Sequence, residues 1–349
     1  MNNVSTNKNR IIQFDALRVI AAFAVVMLHT SAQRFYDCFN LSEWDTRNFY
    51  DSMVRWGVPI FIMISGALFL DSNKKIGIKS IYTKNITRIL TFFVFWSIVY
   101  GVYGGLGQRG FMGLVGRIIH GPFHFWFLKM LIGLYICVPI LRPIATNKKL
   151  DIYFICISLV TAFFIPMLFP ILGYFSEEAR SFTEKNYNEF GINIALGYVG
   201  YFVLGHKLAH TSFSKKNKIT ILTLGIMSAI SVCFLTNIAS KHYREPYLIL
   251  YEYNNLFTLF EALAIFIIIK DINIPFRFRD FLTNASKTCL GIYIIHPLVM
   301  SFIYDSLKID SASINPMYFI PVYAFLIFLI CFFIVIVLIK IPVIKKIVV

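Results

Sequence analysis

Acidic residues are scarce in this chain. Against 33 Lys and Arg it has 18 Asp and Glu, and charged residues of both signs make up only 15% of its 349 residues. Soluble domains carry about a quarter charged residues, so charge this sparse excludes an ordinary soluble fold. Its six cysteines (Cys38, Cys137, Cys156, Cys233, Cys289, Cys331) have no metal-ligand spacing. Only Cys38 falls in an expected outer loop, so neither a metal site nor a structural disulfide is expected. The polar start MNNVSTNKNR leads into an apolar run without a small-residue cleavage site. That run is therefore expected to remain as a span. No internal repeat is evident, and no interval between apolar runs is long enough for a soluble domain. Residues 1–349 read as a single membrane domain.

Apolar residues are plentiful. They make up 58% of the chain, and Phe alone contributes 36. Runs of ~20 apolar residues recur from end to end, which is the multi-pass signature. The pattern predicts an all-α integral membrane protein with about ten helices, near 13–32, 53–71, 86–105, 123–141, 151–173, 190–208, 218–237, 248–269, 287–305 and 318–340. The stretch 109–121, RGFMGLVGRIIHG, reads as an amphipathic interfacial helix. The net charge of +15 would suit nucleic acid, but its distribution argues otherwise. With a cytoplasmic N-terminus, roughly two thirds of the basic residues fall in inner segments, as the positive-inside bias requires. Lys74, Lys75, Lys79, Lys84 and Arg88 form one such cluster. An N-in, C-in topology is expected, with no nucleic-acid partner.

The first helix carries the main polar signal. In DALRVIAAFAVVMLH, Arg18 and His29 lie eleven residues apart, about three turns. They share one face, roughly 16 Å apart along the axis. Asp15 is one turn before Arg18 and can pair with it. Polar groups inside a span are costly and usually have a partner or a task. His29 suits proton transfer at physiological pH, although an isolated histidine at a helix end would be unremarkable. Arg18 suits an anionic ligand or serves as a topology anchor paired with Asp15.

Other polar groups gather at helix ends expected to face outward. HGPFHFWFLK brings His120, His124 and Trp126 to the start of the fourth span, with Lys129 about 7 Å deeper than His124. Lys129 either snorkels or faces a polar cavity. The eighth span starts at YEYNN with Glu252 and carries Glu261 deeper. In SKTCLGIYIIHP, residues Ser286, Tyr293 and His296 share a sector that should face inward. Pro297 should loosen that helix and free a carbonyl. In PIFIMISGALF, Ser65 and Gly66 read as a close-packing site.

At these residues the chain resembles the acyltransferase 3 family of membrane-bound surface-glycan acyltransferases. FDALRVIAAFAVVMLH fits its arginine, ten residues, histidine motif. VPIFIMISGALFL, HFWFLKMLIGLYICVPIL, YFVLGHKL and SKTCLGIYIIHPLV fit further motifs in order, over nearly the whole chain. One departure is KNITRIL. Where the family often has two arginines three apart, this chain has Asn85 and Arg88, with Lys84 beside them.

The resemblance implies a membrane acyltransferase with acetyl-CoA, or another acyl-CoA, as donor from the cytoplasm and no metal. It implies an acceptor hydroxyl on an extracytoplasmic polysaccharide or lipid-linked sugar, with O-acetylation the first expectation. His29 and Arg18 would be catalytic, and Arg18, Lys84 and Arg88 would bind the donor. His124, Trp126, Lys129, Glu252, Tyr293 and His296 would meet substrate. No serine sits in a nucleophile elbow, so direct transfer or an acyl-histidine is expected. A transporter of an acyl group or small solute would use buried charges equally well, and so would a ligand-binding sensor module. The basic, Lys/Ile/Asn-rich composition suggests an AT-rich bacterial genome, and a multi-pass place in the plasma membrane is expected.

Overall fold

The computed structural model describes residues 10–39, 41–74, 76–104, 110–176, 178, 192–307 and 314–341, and every regular element among them is helical. In hydrocarbon each backbone N–H and C=O must pair within its own segment, and a helix accomplishes that. The elements are α1 (Ile12–Ser31), α2 (Glu43–Met53), α3 (Gly57–Phe69), α4 (Ile78–Tyr103), α5 (Gly110–His120) and α6 (Phe123–Thr146). They continue with α7 (Lys148–Tyr174), α8 (Ile192–Ala209), α9 (Lys215–Tyr243), α10 (Leu256–Lys270), α11 (Phe276–Leu307) and α12 (Pro316–Lys340). Helix starts follow ordinary capping chemistry. The side chains of Asn147, Ser214, Asn255 and Asn315 each accept a backbone N–H at the start of α7, α9, α10 and α12.

Among the described residues, nine helices are long and apolar enough to cross a membrane, with α2 and α3 counted as one. Helix direction makes α8 a further pass. Lys207, near its end, pairs with Asp151 at the start of α7 (2.5 Å), and Gly200 packs against Ser158 and Phe163. α8 therefore runs back along α7. The expected 190–208 span is thus present, and the ten expected spans each have a helix.

Four helix starts differ from the sequence expectation, among them α4, which begins at Ile78 rather than near 86. The second span starts at Glu43, about ten residues before the expected Met53, because α2 buries a polar face. Trp44, Arg47, Asn48, Asp51 and Ser52 recur at helical spacing and are all buried. Hydropathy cannot register a face of that kind. Arg47 donates to the Gln33 carbonyl at 2.7 Å, Asn48 to the Cys233 carbonyl at 2.8 Å, and Tyr251 to Asn48 Oδ1 at 2.5 Å. α11 starts at Phe276 and spans 32 residues, about 48 Å, which exceeds the roughly 30 Å of a hydrocarbon core. α10 starts at Leu256, so Glu252 lies ahead of the helix that holds Glu261. A separate helix, α5, does form within 109–121.

α1 sits inside the bundle against α2, α3, α10, α11 and α12. Lipid tails are as apolar as leucine, so close packing must hold such helices together. The tightest approach joins α3 and α8. A Cβ on Gly66 would fall on the Phe202 carbonyl, and one on Gly205 on the Met63 carbonyl. The small-residue reading of Ser65 and Gly66 is therefore borne out as a backbone contact. A buried ion pair holds the other end of α3. Asp51 binds Arg55, and Ser31 donates to Asp51 at 3.1 Å. Arg55 also donates to the Tyr251 carbonyl at 3.1 Å and lies 3.8 Å over that ring. Arg142 clamps the turn after α3 by donating to the carbonyls of Phe69 and Lys74, both at 2.8 Å. The outer surface stays apolar, with Leu90, Val94, Phe325 and Val337 exposed.

Gly66→Val should cost about 3 kcal/mol through overpacking. Asp51→Ala should cost a similar amount, about 3 kcal/mol, by leaving Arg55 buried without its partner. The lipid-facing control Leu90→Ala should stay within about 0.5 kcal/mol. Unfolding in detergent, followed by intrinsic fluorescence, reads all three. Wild-type stability in Gly66→Val would refute the backbone contact.

Candidate functional site

The first three turns of α1 form a polar lock. Asp15 is completely buried and receives four hydrogen bonds. Arg10 gives two, from Nε at 2.6 Å and Nη2 at 2.9 Å. Arg18 Nη1 gives one at 3.1 Å and Ser286 Oγ one at 2.8 Å. Arg10 Nη2 also reaches Ser286 Oγ at 2.7 Å and the Thr283 carbonyl at 3.2 Å. A carboxylate has room for about four donors, and here they tie α1 to α11. The expected Asp15–Arg18 pair is present, and Arg10 joins it. Arg10 had been legible only as a positive-inside residue.

Arg18 gives Asp15 one N–H and leaves the rest of its guanidinium for a cavity of about 450 Å³ that it lines. The same cavity is lined by Arg10, Arg88 and Lys287, with Ser65, Asn85, Tyr135 and Tyr293 among the others and no acidic residue. Four cations thus line a cavity with an apolar inner wall, two of them, Arg10 and Arg18, paired with the buried Asp15. Lys84 is exposed and does not line this cavity, whereas Asn85 does.

A second cavity, of about 540 Å³, opens at the opposite end of α1. His29, Gln33, Arg34, Tyr103, Ser301, Tyr304 and Asp305 line it, together with Phe123, Pro297 and Met300. Tyr103 donates to Asp305 at 2.8 Å. This lining mixes donors and acceptors of both signs, as recognition of hydroxyl groups requires.

Three histidines stand between the cavities. His29 Nδ1 and His296 Nε2 are 2.5 Å apart, and their rings are stacked with centroids 4.7 Å apart. His124 lies 6.4 Å from His29 and 5.9 Å from His296, ring to ring. His124 and His296 are buried, and neither lines either of these two cavities. Among the described residues, no group of His, Cys, Asp and Glu is arranged to hold a metal ion.

The chain brings these rings together through two local breaks. Gly121 adopts φ 65°, a left-handed turn open to glycine, which carries the chain from α5 into α6 and places His124 in the core. In α11, Pro297 has no N–H to give the ladder. Just beyond it, Leu298 N–H donates to the Tyr100 hydroxyl at 3.2 Å. The Ile294 carbonyl accepts Tyr100 at 2.7 Å and His124 Nε2 at 3.2 Å. Tyr293 donates to the His124 carbonyl. The carbonyl that Pro297 leaves without its helical donor is Tyr293's, one residue before the Ile294 carbonyl that anchors His124.

The remaining expected residues separate. Trp126 packs between Tyr198 and Tyr253, each 5.6 Å away, and lines neither cavity. Lys129 donates to the His120 carbonyl at 2.7 Å and closes the end of α5. Glu252 is exposed ahead of α10, beside a pocket of about 30 Å³. Sequence reasoning did not single out Arg34, Asp305 or Tyr100. Asp305 is the only acid within α11's second half, a signal that was available, whereas Tyr100 sits in an aromatic run with nothing to distinguish it.

A family model for an acyltransferase domain, Acyl_transf_3, matches residues 11–338. Comparison with curated proteins and with solved structures gives no match. Ser286→Ala should cost about 1 kcal/mol, the value of one hydrogen bond, and Asp15→Ala about 2 kcal/mol, because Arg10 and Arg18 keep partial access to water. Equal stability of Asp15→Ala and wild type in detergent unfolding would show that the lock does not hold the helices.

Proposed function

The chain belongs to the acyltransferase 3 family, and from that premise we propose that it moves an acyl group from cytoplasmic acyl-CoA to a hydroxyl of an extracytoplasmic glycan. Acetyl is the first candidate for the group, and a surface polysaccharide or its lipid-linked precursor for the acceptor. The protein is a multi-pass membrane acyltransferase. The finer reading rests on one observation: a basic cavity and a mixed polar cavity lie on either side of the histidine layer.

The chemistry of the two cavities supports this division. Coenzyme A carries phosphates at one end and a thioester at the end of a flexible arm. The phosphates suit Arg10, Arg18, Arg88 and Lys287, and the apolar wall formed by Phe61, Leu131 and Leu290 suits the arm. Arg18 and His29 are eleven residues apart on one helix, about 16 Å along its axis, so one extended donor reaches both. The acceptor hydroxyl would enter from the His29 side. His29 would take its proton while the oxygen attacks the thioester carbonyl. The C–S bond then breaks, and the imidazolium returns the proton to the leaving sulfur to give free CoA. The positive-inside bias supports a cytoplasmic side for the basic cavity, and the membrane in this reading is a bacterial plasma membrane. Donor and acceptor would thus approach from opposite faces.

His29→Ala should lower turnover about a thousandfold and keep acetyl-CoA affinity within about threefold. Arg18→Ala and Arg88→Ala should each weaken donor affinity about tenfold or more, the value of a charge-assisted hydrogen bond. Calorimetry with acetyl-CoA and release of free CoA in the presence of acceptor measure these effects. Wild-type turnover in His29→Ala would remove the base. Acceptor-independent movement of solute, with no CoA released by the folded protein, would establish transport instead.

A further inference from the structure

We infer that His296 is a positioning residue that fixes the proton of His29 on Nδ1, leaving Nε2 bare as the base. The inference rests on the acyl-transfer reading above, which it extends by naming the atom that takes the proton. The hydrogen-bond pattern requires this tautomer. His296 Nδ1 lies 3.0 Å from the Ile292 carbonyl, which can only accept, so His296 Nδ1 carries a proton. In a neutral imidazole the other nitrogen is then an acceptor. His296 Nε2 lies 2.5 Å from His29 Nδ1, so His29 Nδ1 must be the donor. His29 Nε2 is left with its lone pair, has no hydrogen-bond partner among the described residues, and belongs to a ring that lines the mixed polar cavity.

The chain of donors runs one way: His29 Nδ1–H to His296 Nε2, then His296 Nδ1–H to the Ile292 carbonyl. Each member is held by a packed neighbour. His296 is completely buried on α11, and Tyr293, one turn earlier, is fastened to the His124 carbonyl. When the acceptor hydroxyl gives its proton to His29 Nε2, the new imidazolium still donates from Nδ1 to His296 Nε2. That bond becomes charge-assisted and strengthens as the oxygen attacks. As the thiolate leaves, His29 Nε2 gives the proton to sulfur and the original tautomer is restored. No proton needs to pass along the chain, and His296 never bonds to substrate.

Two substitutions separate this role from simple packing. His296→Leu fills the space but removes the acceptor, so His29 is released to the other tautomer. His296→Gln places an amide oxygen where Nε2 stood. For His296→Leu, kcat should fall about 100-fold with KM for acetyl-CoA within about threefold. His296→Gln should recover at least about tenfold of that loss. The direct reading is nitrogen-15 magic-angle-spinning NMR of histidine-labelled protein in lipid, with His29 assigned by its loss in His29→Ala. Wild type should show His29 protonated on Nδ1 and bare on Nε2, and His296→Leu should shift it toward the Nε2-protonated form. A wild-type His29 protonated on Nε2 would overturn the inference, as would a folded His296→Leu protein with wild-type kcat. Should the wild type show the Nδ1–H tautomer yet transfer no acyl group, the positioning of His29 stands and the acyl-transfer reading alone fails.

Discussion

The seam between α1 and α11 governs the rest of the molecule. It is tied at two levels by polar contacts, Asp15 with Ser286 and His29 with His296. Two ties on a pair of helices fix both their direction and their rotation. α1 and α11 must run the same way, because the lower-numbered residue of each helix meets the other at one end and the higher-numbered residues meet at the other. A chain that returns in the same direction must have crossed an odd number of times in between. That parity requires α8 as a pass, in agreement with its course back along α7. Registry and direction thus both add α8 to the nine helices that length and apolarity identify among the described residues.

The same seam creates the two cavities. Polar groups on α1 must find partners inside the protein, since a bilayer offers them none. At one end the partner is a carboxylate lock, and the surplus guanidinium faces the basic cavity. At the other end the partner is a second imidazole, and the ring lines the mixed cavity. Between Arg18 and His29 the buried residues of α1 are Ala21, Ala22, Ala24, Val25, Val26 and Leu28, and the small ones let its neighbours close around it. The separation of the cavities follows from that apolar middle.

Much of this was legible in the sequence because the signals were local. Arg18 and His29 share a helix and a phase, so their common face required only 3.6 residues per turn. Pro297 withholds one N–H from its helix for a reason written in its own ring. Gly66 marked a close approach, although the Phe202 backbone that it meets lies on a distant segment that no local pattern names. The misplacements share a cause: they concern contacts between distant segments. Lys129 was charged and deep, but the His120 carbonyl that holds it lies across a turn whose shape depends on Gly121. Lys84 and Asn85 differ by one residue, about 100° of helix, which decides which of them meets the cavity. α2 eluded hydropathy because its buried face is polar, paired residue by residue with the loop before it and with Tyr251. A pattern built on apolarity cannot detect a helix whose inward side is satisfied by hydrogen bonds.

The pairing of two histidines also follows from the solvent. In water-soluble hydrolases the base is commonly held by a buried carboxylate, which stabilises the imidazolium that forms. Here the orienting group is completely buried in a bundle surrounded by lipid, where an ionised carboxylate without several donors would cost several kcal/mol. Asp15 meets that requirement with four donors and therefore sits at the helix end, where arginines and a serine can reach it. No comparable set surrounds His29. A neutral imidazole can accept from His29 and pass its own proton to a main-chain carbonyl that the helix supplies at no further cost. The arrangement carries no charge in the resting state and acquires one only when His29 takes a proton. In that respect the orienting power of a carboxylate is exchanged for a group that can remain buried in hydrocarbon.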